Sequence, residues 1–301
     1  MVDEQKILRY IACIVINRSK RKDMSSVSKI VRKSRASLFW YFRSLTKAKR
    51  EAIYTLCAFC FHIEQILNGS LEREQKEDLL KAWKIELDNI YDKKVPETTI
   101  GRKIYKNCMR FKIRKEDFAA ILDAALLDFE NPLRAPSKDV FEAYCHGSSI
   151  APIYIMLKIL GELKEASMRA LSQNLGRAIE LTNILRNIKD DAVNGHLYVP
   201  REVLISAQIM STDPMSVVTN KNLTAVREKL GKEALICFDK AHKLIFTSDR
   251  KSTRILRFIY HLYRRYFDIM RLRGWEIISP KPEIKRIDKV KIAFNAMFDR
   301  N

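Results

Sequence analysis

Glycine and proline are both scarce in this chain. Each occurs 8 times in 301 residues, whereas average usage would give roughly 20 glycines and 15 prolines. Both residues build tight turns and interrupt helices, so a chain with so few of them is unsuited to folds made of many short hairpins. The composition therefore favours long helices joined by few loops.

The chain also lacks a long apolar run. No stretch approaches the roughly 18 apolar residues of a membrane-spanning helix. The opening segment "KILRYIACIVI" is short, contains Arg9 and has no small-residue cleavage site. We therefore expect a cytoplasmic protein that is soluble or contacts a membrane only at its periphery.

Cysteine is present but not in a pattern that predicts chemistry. There are 6 cysteines, and "CAFC" at 57–60 has C-x-x-C spacing without a second Cys or His pair at zinc-binding distance. Its neighbours are apolar, which is typical of a buried helix. We predict that these cysteines pack in the core.

Acidic residues are too few to balance the basic ones, and the formal net charge is +20. Such a surface attracts nucleic acids, anionic membranes or phosphorylated ligands, and charge alone does not choose among them. Diffuse surface charge without a dedicated partner is an equally open interpretation. No nucleic-acid-binding motif accompanies the charge, so no nucleic-acid partner is expected.

Helical periodicity dominates what is present. Residues 1–36 are predicted to form a short helix followed by a basic linker, and residues 37–301 a single all-α domain. "REQKEDLLKAWKIELDNIYDKK" is an amphipathic helix by its spacing. "VFEAYCHGSSIAPIYIMLKILG" is predicted as one helix that ends at Gly161.

Two of these helices carry polar residues one turn apart within apolar surroundings. Glu64 and Asn68 form one such pair, and Asn187 and Asp191 form another, with Asn183 one turn earlier. Facing each other in a bundle, they would direct oxygen ligands for Mg²⁺ into one cavity, where Mg²⁺ and basic groups would bind a diphosphate. A solvent-exposed face is the alternative. The candidate basic residues are Arg43, Lys47, Arg50 and Arg186.

Longer motifs add a resemblance to a known family. "SLFWYFRSLTKAKREAIYTLCAFC", "LLKAWKIELDNIYDKK", "ELTNILRNIKDDAVNGHLYVP" and "YRRYFDIMRLRGWEII" resemble motifs of the squalene/phytoene synthase family, the head-to-head prenyl diphosphate synthases. The likeness extends from about residue 37 to residue 294. It implies the all-α isoprenoid synthase fold, a helical bundle with a central cavity.

The resemblance also implies an activity. In this family, two acid-rich motifs on facing helices bind Mg²⁺, which binds the diphosphate of a substrate such as farnesyl diphosphate. Ionisation gives an allylic carbocation that attacks a second prenyl diphosphate, which yields a presqualene, squalene or phytoene type of product. Tyr144 lies in "FEAYCHGSSIAP", where the family places a tyrosine near the reacting carbons. Some members use NADPH, for which this sequence has no supporting motif.

The sequence departs from the family at the metal ligands. The first motif's positions hold Phe61, Glu64, Gln65 and Asn68, and those of the second hold Asn187, Asp190 and Asp191. Amides in place of carboxylates weaken Mg²⁺ binding, because they add no charge. Glu180 would restore one negative charge if it faces the cavity. The predicted metal ligands are therefore Glu64, Asn68, Glu180, Asn187, Asp190 and Asp191.

Two functions follow from this combination. We favour a Mg²⁺-dependent prenyltransferase with an eroded active site. The alternative is a catalytically impaired relative with a binding or assembly role, similar to the family's mitochondrial complex I assembly factors. Both require that the segments around residues 64 and 187 face each other across a cavity.

Overall fold

The computed structural model describes residues 45–161 and 163–298. The predicted N-terminal helix and linker, the domain boundary at residue 37 and Arg43 lie outside the described residues. These predictions therefore stay predictions.

The described residues form helices joined by short loops, as the shortage of glycine and proline predicts. In chain order the α-helices are α1 (Lys47–Asn68), α2 (Arg73–Tyr91), α3 (Thr99–Phe111), α4 (Lys115–Glu130), α5 (Lys138–Cys145), α6 (Ala151–Leu160), α7 (Glu165–Val193), α8 (Arg201–Ser206), α9 (Pro214–Val218), α10 (Leu223–Phe246), α11 (Arg250–Arg273) and α12 (Arg286–Phe298).

No β-strand occurs in the part of the chain that the structure describes, and the only sheet-like pairing there is an isolated bridge between Arg134 and Leu197. The predicted all-α class is therefore confirmed. Among the described helices, none combines the length and the apolar composition needed to cross a membrane.

Helix ends follow from local sequence signals. The side chains of Thr46, Ser137 and Asp213 accept hydrogen bonds from the first turns of α1, α5 and α9, which satisfies backbone N–H groups that have no partner inside the helix. α6 ends at Gly161, whose backbone is left-handed with φ 68°. Glycine adopts this conformation without steric cost.

The helix α7 lies at the centre of the bundle. It packs against α6, α10 and α11, and its side chains are buried without interruption from Leu175 to Ile188. Within this segment the helix has no solvent face, so its polar side chains Glu180, Asn183 and Asn187 are buried in the protein interior.

The cysteines of "CAFC" lie on α1. Cys57 and Cys60 are both buried and form no disulfide, which confirms the prediction of core packing.

One predicted helix is interrupted. Instead of running unbroken to Gly161, the chain forms α5, a π-helical turn at His146–Ile150, and then α6. Gly147, inside this turn, lies against the backbone of Ala120 on α4, where a Cβ atom would collide with the carbonyl oxygen. The prediction of a single α-helix was therefore wrong, because this close approach depends on a distant helix.

Candidate functional site

A cavity of about 560 Å³ lies among α1, α4, α5, the π-turn and α7. Its lining includes both Glu64 on α1 and Asn187 on α7. The two segments that sequence analysis placed opposite each other therefore share one cavity, and the solvent-face alternative for the α7 stripe is wrong.

The C-terminal ends of α1, α4 and α7 meet at one end of this cavity. Lys76 of α2 donates a hydrogen bond to the Leu67 carbonyl near the end of α1 at 3.0 Å. Arg73 donates a hydrogen bond to the Glu130 carbonyl at 2.9 Å, which links the start of α2 to the end of α4. Asp128, near the end of α4, contacts His196 beyond the end of α7. We call this end the mouth; the exposed lining residues Asn68, Asp190 and Asn194 lie there.

The α1 wall carries two of the predicted metal ligands. Glu64 is buried, whereas Asn68 is exposed and donates from its side-chain nitrogen to the Glu64 carbonyl at 3.2 Å. Phe61 and Gln65, which occupy the family's other motif positions, do not line the cavity. Glu64 is thus the motif's one carboxylate in this wall.

The α7 wall carries the other four predicted ligands: Glu180, Asn187, Asp190 and Asp191. Glu180 is buried and accepts a hydrogen bond of 2.5 Å from the Ser149 hydroxyl in the π-turn. The Asn187 side chain is only 7% exposed, and its oxygen Oδ1 has no hydrogen-bond partner. A buried acceptor without a partner carries a desolvation cost that a bound ligand or cation would remove.

Asn183, one turn before Asn187, also lines the cavity. It hydrogen-bonds the Tyr263 hydroxyl, and burial raises the pKa of that phenol. Tyr263 therefore stays neutral and closes this part of the wall.

A lysine that sequence analysis did not single out lies at the mouth. Lys281 follows α11 in the chain, and its Nζ is 2.5 Å from Asp190 Oδ2. It lines the cavity together with Arg73 and Lys76 from α2. No local pattern marks these three residues, because lysine and arginine are spread along the whole chain.

Three of the four predicted diphosphate-binding residues lie in the part of the chain that the structure describes, and they lie outside the cavity lining. Lys47 and Arg50 are on the first turn of α1, and neither lines the cavity. Arg186 is buried, donates from Nε to the Pro282 carbonyl at 2.9 Å and lies 4.2 Å from the centre of the Tyr266 ring. The structure therefore does not bring these three to the cavity.

Three aromatic rings form a stack along one side of the cavity. Tyr144, the predicted catalytic tyrosine, lies 4.9 Å from Tyr198 with the rings 16° from parallel, and Tyr198 lies 5.5 Å from His196. Asp128 holds this stack at the mouth: it accepts from the Tyr198 hydroxyl at 2.6 Å and contacts His196 Nδ1 at 3.1 Å. The roles of Asp128 and Tyr198 were not predictable from the sequence, since the two residues are 70 positions apart.

The side chains present fit a magnesium ion that a ligand helps to bind. No three His, Cys, Asp or Glu residues in the described part of the chain form a group able to hold a metal ion. However, the unpartnered Oδ1 of Asn187 lies one helical turn before Asp191, and Mg²⁺ commonly binds through one or two carboxylates, water and substrate phosphates. The lining also holds more carboxylates than Lys and Arg side chains, so an anionic ligand would enter with an added cation.

The helices pack around a cavity with a polar mouth, and this architecture places the protein in a known fold class. It has the all-α isoprenoid synthase fold. A crystal structure of a dehydrosqualene synthase in complex with ligand aligns with a TM-score of 0.75 at 20% identity, over 90% of this chain and 94% of that chain.

The chain belongs to the squalene/phytoene synthase family, whose model matches residues 31–288. It is 31% identical to the presqualene diphosphate synthase of Rhodopseudomonas palustris, over 86% of this chain and 91% of that protein. It is 30% identical to the corresponding synthase of Sinorhizobium fredii, over 86% and 92%. The phytoene synthase of Mycobacterium tuberculosis is 25% identical, over 89% and 88%.

Proposed function

We propose that this protein binds a prenyl diphosphate in the cavity and condenses two such molecules head to head, as a presqualene diphosphate synthase does. The single observation that carries the proposal is the cavity lined by both motif segments, α1 around Glu64 and α7 around Asn187. The relatives named presqualene diphosphate synthase support the reaction type, since they align over most of their length.

The lining supports a defined orientation of the substrate. The diphosphate would lie at the mouth, beside Lys76, Lys281 and Asp191. The prenyl chain would extend along apolar side chains further in, which exclude water from a reactive carbocation. This apolar part of the lining includes Cys60, Ile63, Ile121, Ile153 and Ile179.

The proposed metal site is a weakened form of the family's site. Asn187, Asp191 and Glu64 would hold Mg²⁺ together with the diphosphate, and the ion would neutralise charge on the leaving group. Asp190 contacts Lys281 and Glu180 accepts from Ser149, and these two carboxylates would keep those contacts. Asn68, exposed at the mouth, would contribute least.

In the proposed reaction, the C–O bond to the diphosphate breaks and its electron pair leaves with the diphosphate. The allylic cation then forms a carbon–carbon bond to the double bond of the second substrate, and a proton is lost. The Tyr144 ring, fixed by its stacking on Tyr198, would face the reacting carbons. An aromatic face stabilises a nearby positive charge.

A second function is favoured by a specific observation. The Lys281–Asp190 ion pair would suit a relative that binds prenyl diphosphate, or a partner protein, without converting substrate. The described residues also contain no group of three His, Cys, Asp or Glu side chains placed to hold a metal ion. Ligand binding without product formation would distinguish this function from catalysis.

The test combines binding and turnover. Thermal unfolding is measured with farnesyl thiodiphosphate, with and without Mg²⁺, since a ligand that binds only the folded protein raises the midpoint. Farnesyl diphosphate is then supplied and presqualene diphosphate is measured, with the R. palustris synthase as the positive control. A Mg²⁺-dependent shift with product supports the enzyme. If neither appears while the control gives both, the proposal is wrong.

A further inference from the structure

We infer that residues 275–282, between α11 and α12, form a strap whose backbone is held by three buried or half-buried arginines. The strap positions Lys281 to bind the substrate diphosphate at the mouth. Arg186 is then a positioning residue that acts through the strap. This inference rests on the proposed function, because it concerns the same ligand.

The strap begins with contacts to a buried arginine. Arg227 on α10 is 1% exposed, and its Nη1 donates to the carbonyl oxygens of Trp275 and Ile277, the latter at 3.1 Å. Its Nη2 reaches the Leu185 carbonyl on α7 at 3.4 Å. A guanidinium has several donors in one rigid plane, so this side chain joins α7, α10 and the strap.

Two further arginines hold the other end. Arg273 donates to the carbonyls of Ile277 and Pro280 at 3.0 and 2.5 Å. Arg186 donates to the Pro282 carbonyl at 2.9 Å and packs on the Tyr266 ring. The two residues on either side of Lys281 are therefore both anchored through their carbonyl oxygens.

Anchored neighbours restrict where the Lys281 side chain can lie. Both neighbours are prolines, whose ring fixes φ and removes a backbone donor, so the backbone here has little freedom even before the arginines bind it. The side chain is 19% exposed, and its ammonium reaches Asp190 across the mouth. This places a positive charge where the diphosphate of the proposed substrate would lie.

Asp190 is the resting partner of this lysine. Its side chain is 53% exposed, and an ion pair with so exposed a partner contributes little to stability. A diphosphate has more negative charge and more acceptor oxygens than one carboxylate. The ammonium can therefore contact an arriving diphosphate without loss of the fold.

The test is a double-mutant cycle on ligand affinity. Farnesyl thiodiphosphate binding is measured by calorimetry with Mg²⁺ for the wild type, Lys281→Met, Arg186→Met and the double variant. Lys285→Met, at an exposed lysine just beyond the strap, is the matched control. We expect Lys281→Met to weaken binding roughly tenfold or more, as for the loss of a charged hydrogen bond, and Lys285→Met to leave it unchanged.

The decisive quantity is the coupling between Arg186 and Lys281. Arg186→Met should weaken binding when Lys281 is present. In the Lys281→Met background it should weaken binding little further, because its effect passes through that lysine. If the two losses are additive, or if Lys281→Met behaves as Lys285→Met does, the inference is wrong. A wild type that does not bind would instead overturn the proposed function.

A second variant covers the case in which Arg186→Met does not fold. Arg273 is only half-buried and holds Pro280, so Arg273→Met should give the same non-additivity with Lys281→Met. A lowered unfolding temperature with unchanged affinity in either arginine variant would also overturn the inference.

Discussion

Asn187 differs from its neighbours on α7 because its buried oxygen has no partner. Since an amide at this position contributes no charge, the Asn187→Asp variant should bind Mg²⁺ more tightly, with Asp191 one turn away. We expect the Mg²⁺ concentration that gives half of the thermal shift, with farnesyl thiodiphosphate present, to fall roughly fivefold or more.

The same change at an exposed site is the control for this prediction. Asn295 on α12 is exposed and does not line the cavity, so Asn295→Asp adds an equal charge outside the proposed site. Equal responses of the two variants to Mg²⁺ would contradict a metal position beside Asn187.

Asp128 supports a prediction about pH. Burial raises the pKa of its carboxyl group, but the hydrogen bonds from His196 and Tyr198 together lower this pKa by a larger amount. The net pKa is therefore below the ordinary value. A carboxyl group with a lowered pKa in the folded state stabilises the protein above its unfolded-state pKa, about 3.9, and this contribution is lost as pH falls through the folded-state pKa.

We therefore expect Asp128→Asn to destabilise the protein by roughly 1–3 kcal/mol at pH 6, and by less at pH 3. Urea unfolding of both proteins at the two pH values measures this difference. A difference that does not change with pH would mean that the amide side chain, rather than the lost charge, causes the effect.

At the scale of elements, the π-turn depends on Gly147. A methyl group there would collide with the Ala120 carbonyl on α4, so Gly147→Ala should cost about 1–3 kcal/mol through displaced backbone. The neighbouring Ser148 is a suitable control, because its buried hydroxyl has no hydrogen-bond partner and Ser148→Ala removes no bond. In thermal unfolding, Gly147→Ala should have a clearly lower midpoint than Ser148→Ala. Similar midpoints would count against a tight contact between Gly147 and Ala120.

The long helices illustrate how far local sequence carries a prediction at this scale. The N-cap residue Thr46 and the C-cap residue Gly161 are adjacent in sequence to the helices that they begin or end. Such helix boundaries can therefore be predicted from the sequence. The π-turn is not, since its cause is the approach of α4, more than 20 positions away in the chain. Short helices such as α8 and α9 also lacked enough periodicity for prediction.

At the scale of the whole molecule, the net charge of +20 supports the expectation of peripheral membrane contact. Basic surfaces are attracted to anionic lipid headgroups, and salt screens this attraction. We expect the protein to float with vesicles containing phosphatidylserine at about 0.1 M salt and to be released at about 0.5 M. Equal flotation with neutral vesicles would show that charge is not the cause.

Taken at the same scale, the sequence predicted correctly that the polar stripe of α7 faces a cavity, and the role of these residues as metal ligands stays a prediction. The spacing of Glu180, Asn183, Asn187 and Asp191 placed them on one helix face, and the motifs around them indicated a partner helix. The positions of the basic residues did not follow from spacing: Lys47, Arg50 and Arg186 do not line the cavity, whereas Lys281 does.

The amino-acid sequence by itself determined the helices, their polar and apolar faces, and the resemblance that identified the family, because these depend on residues within a few turns of one another. Tertiary structure alone decided which cations meet the carboxylates. Asp190 and Lys281 are 91 positions apart, and their contact depends on how the bundle packs and on the arginines that hold the strap. A charge acts through space, so its partner is set by the fold and cannot be deduced from spacing along the chain.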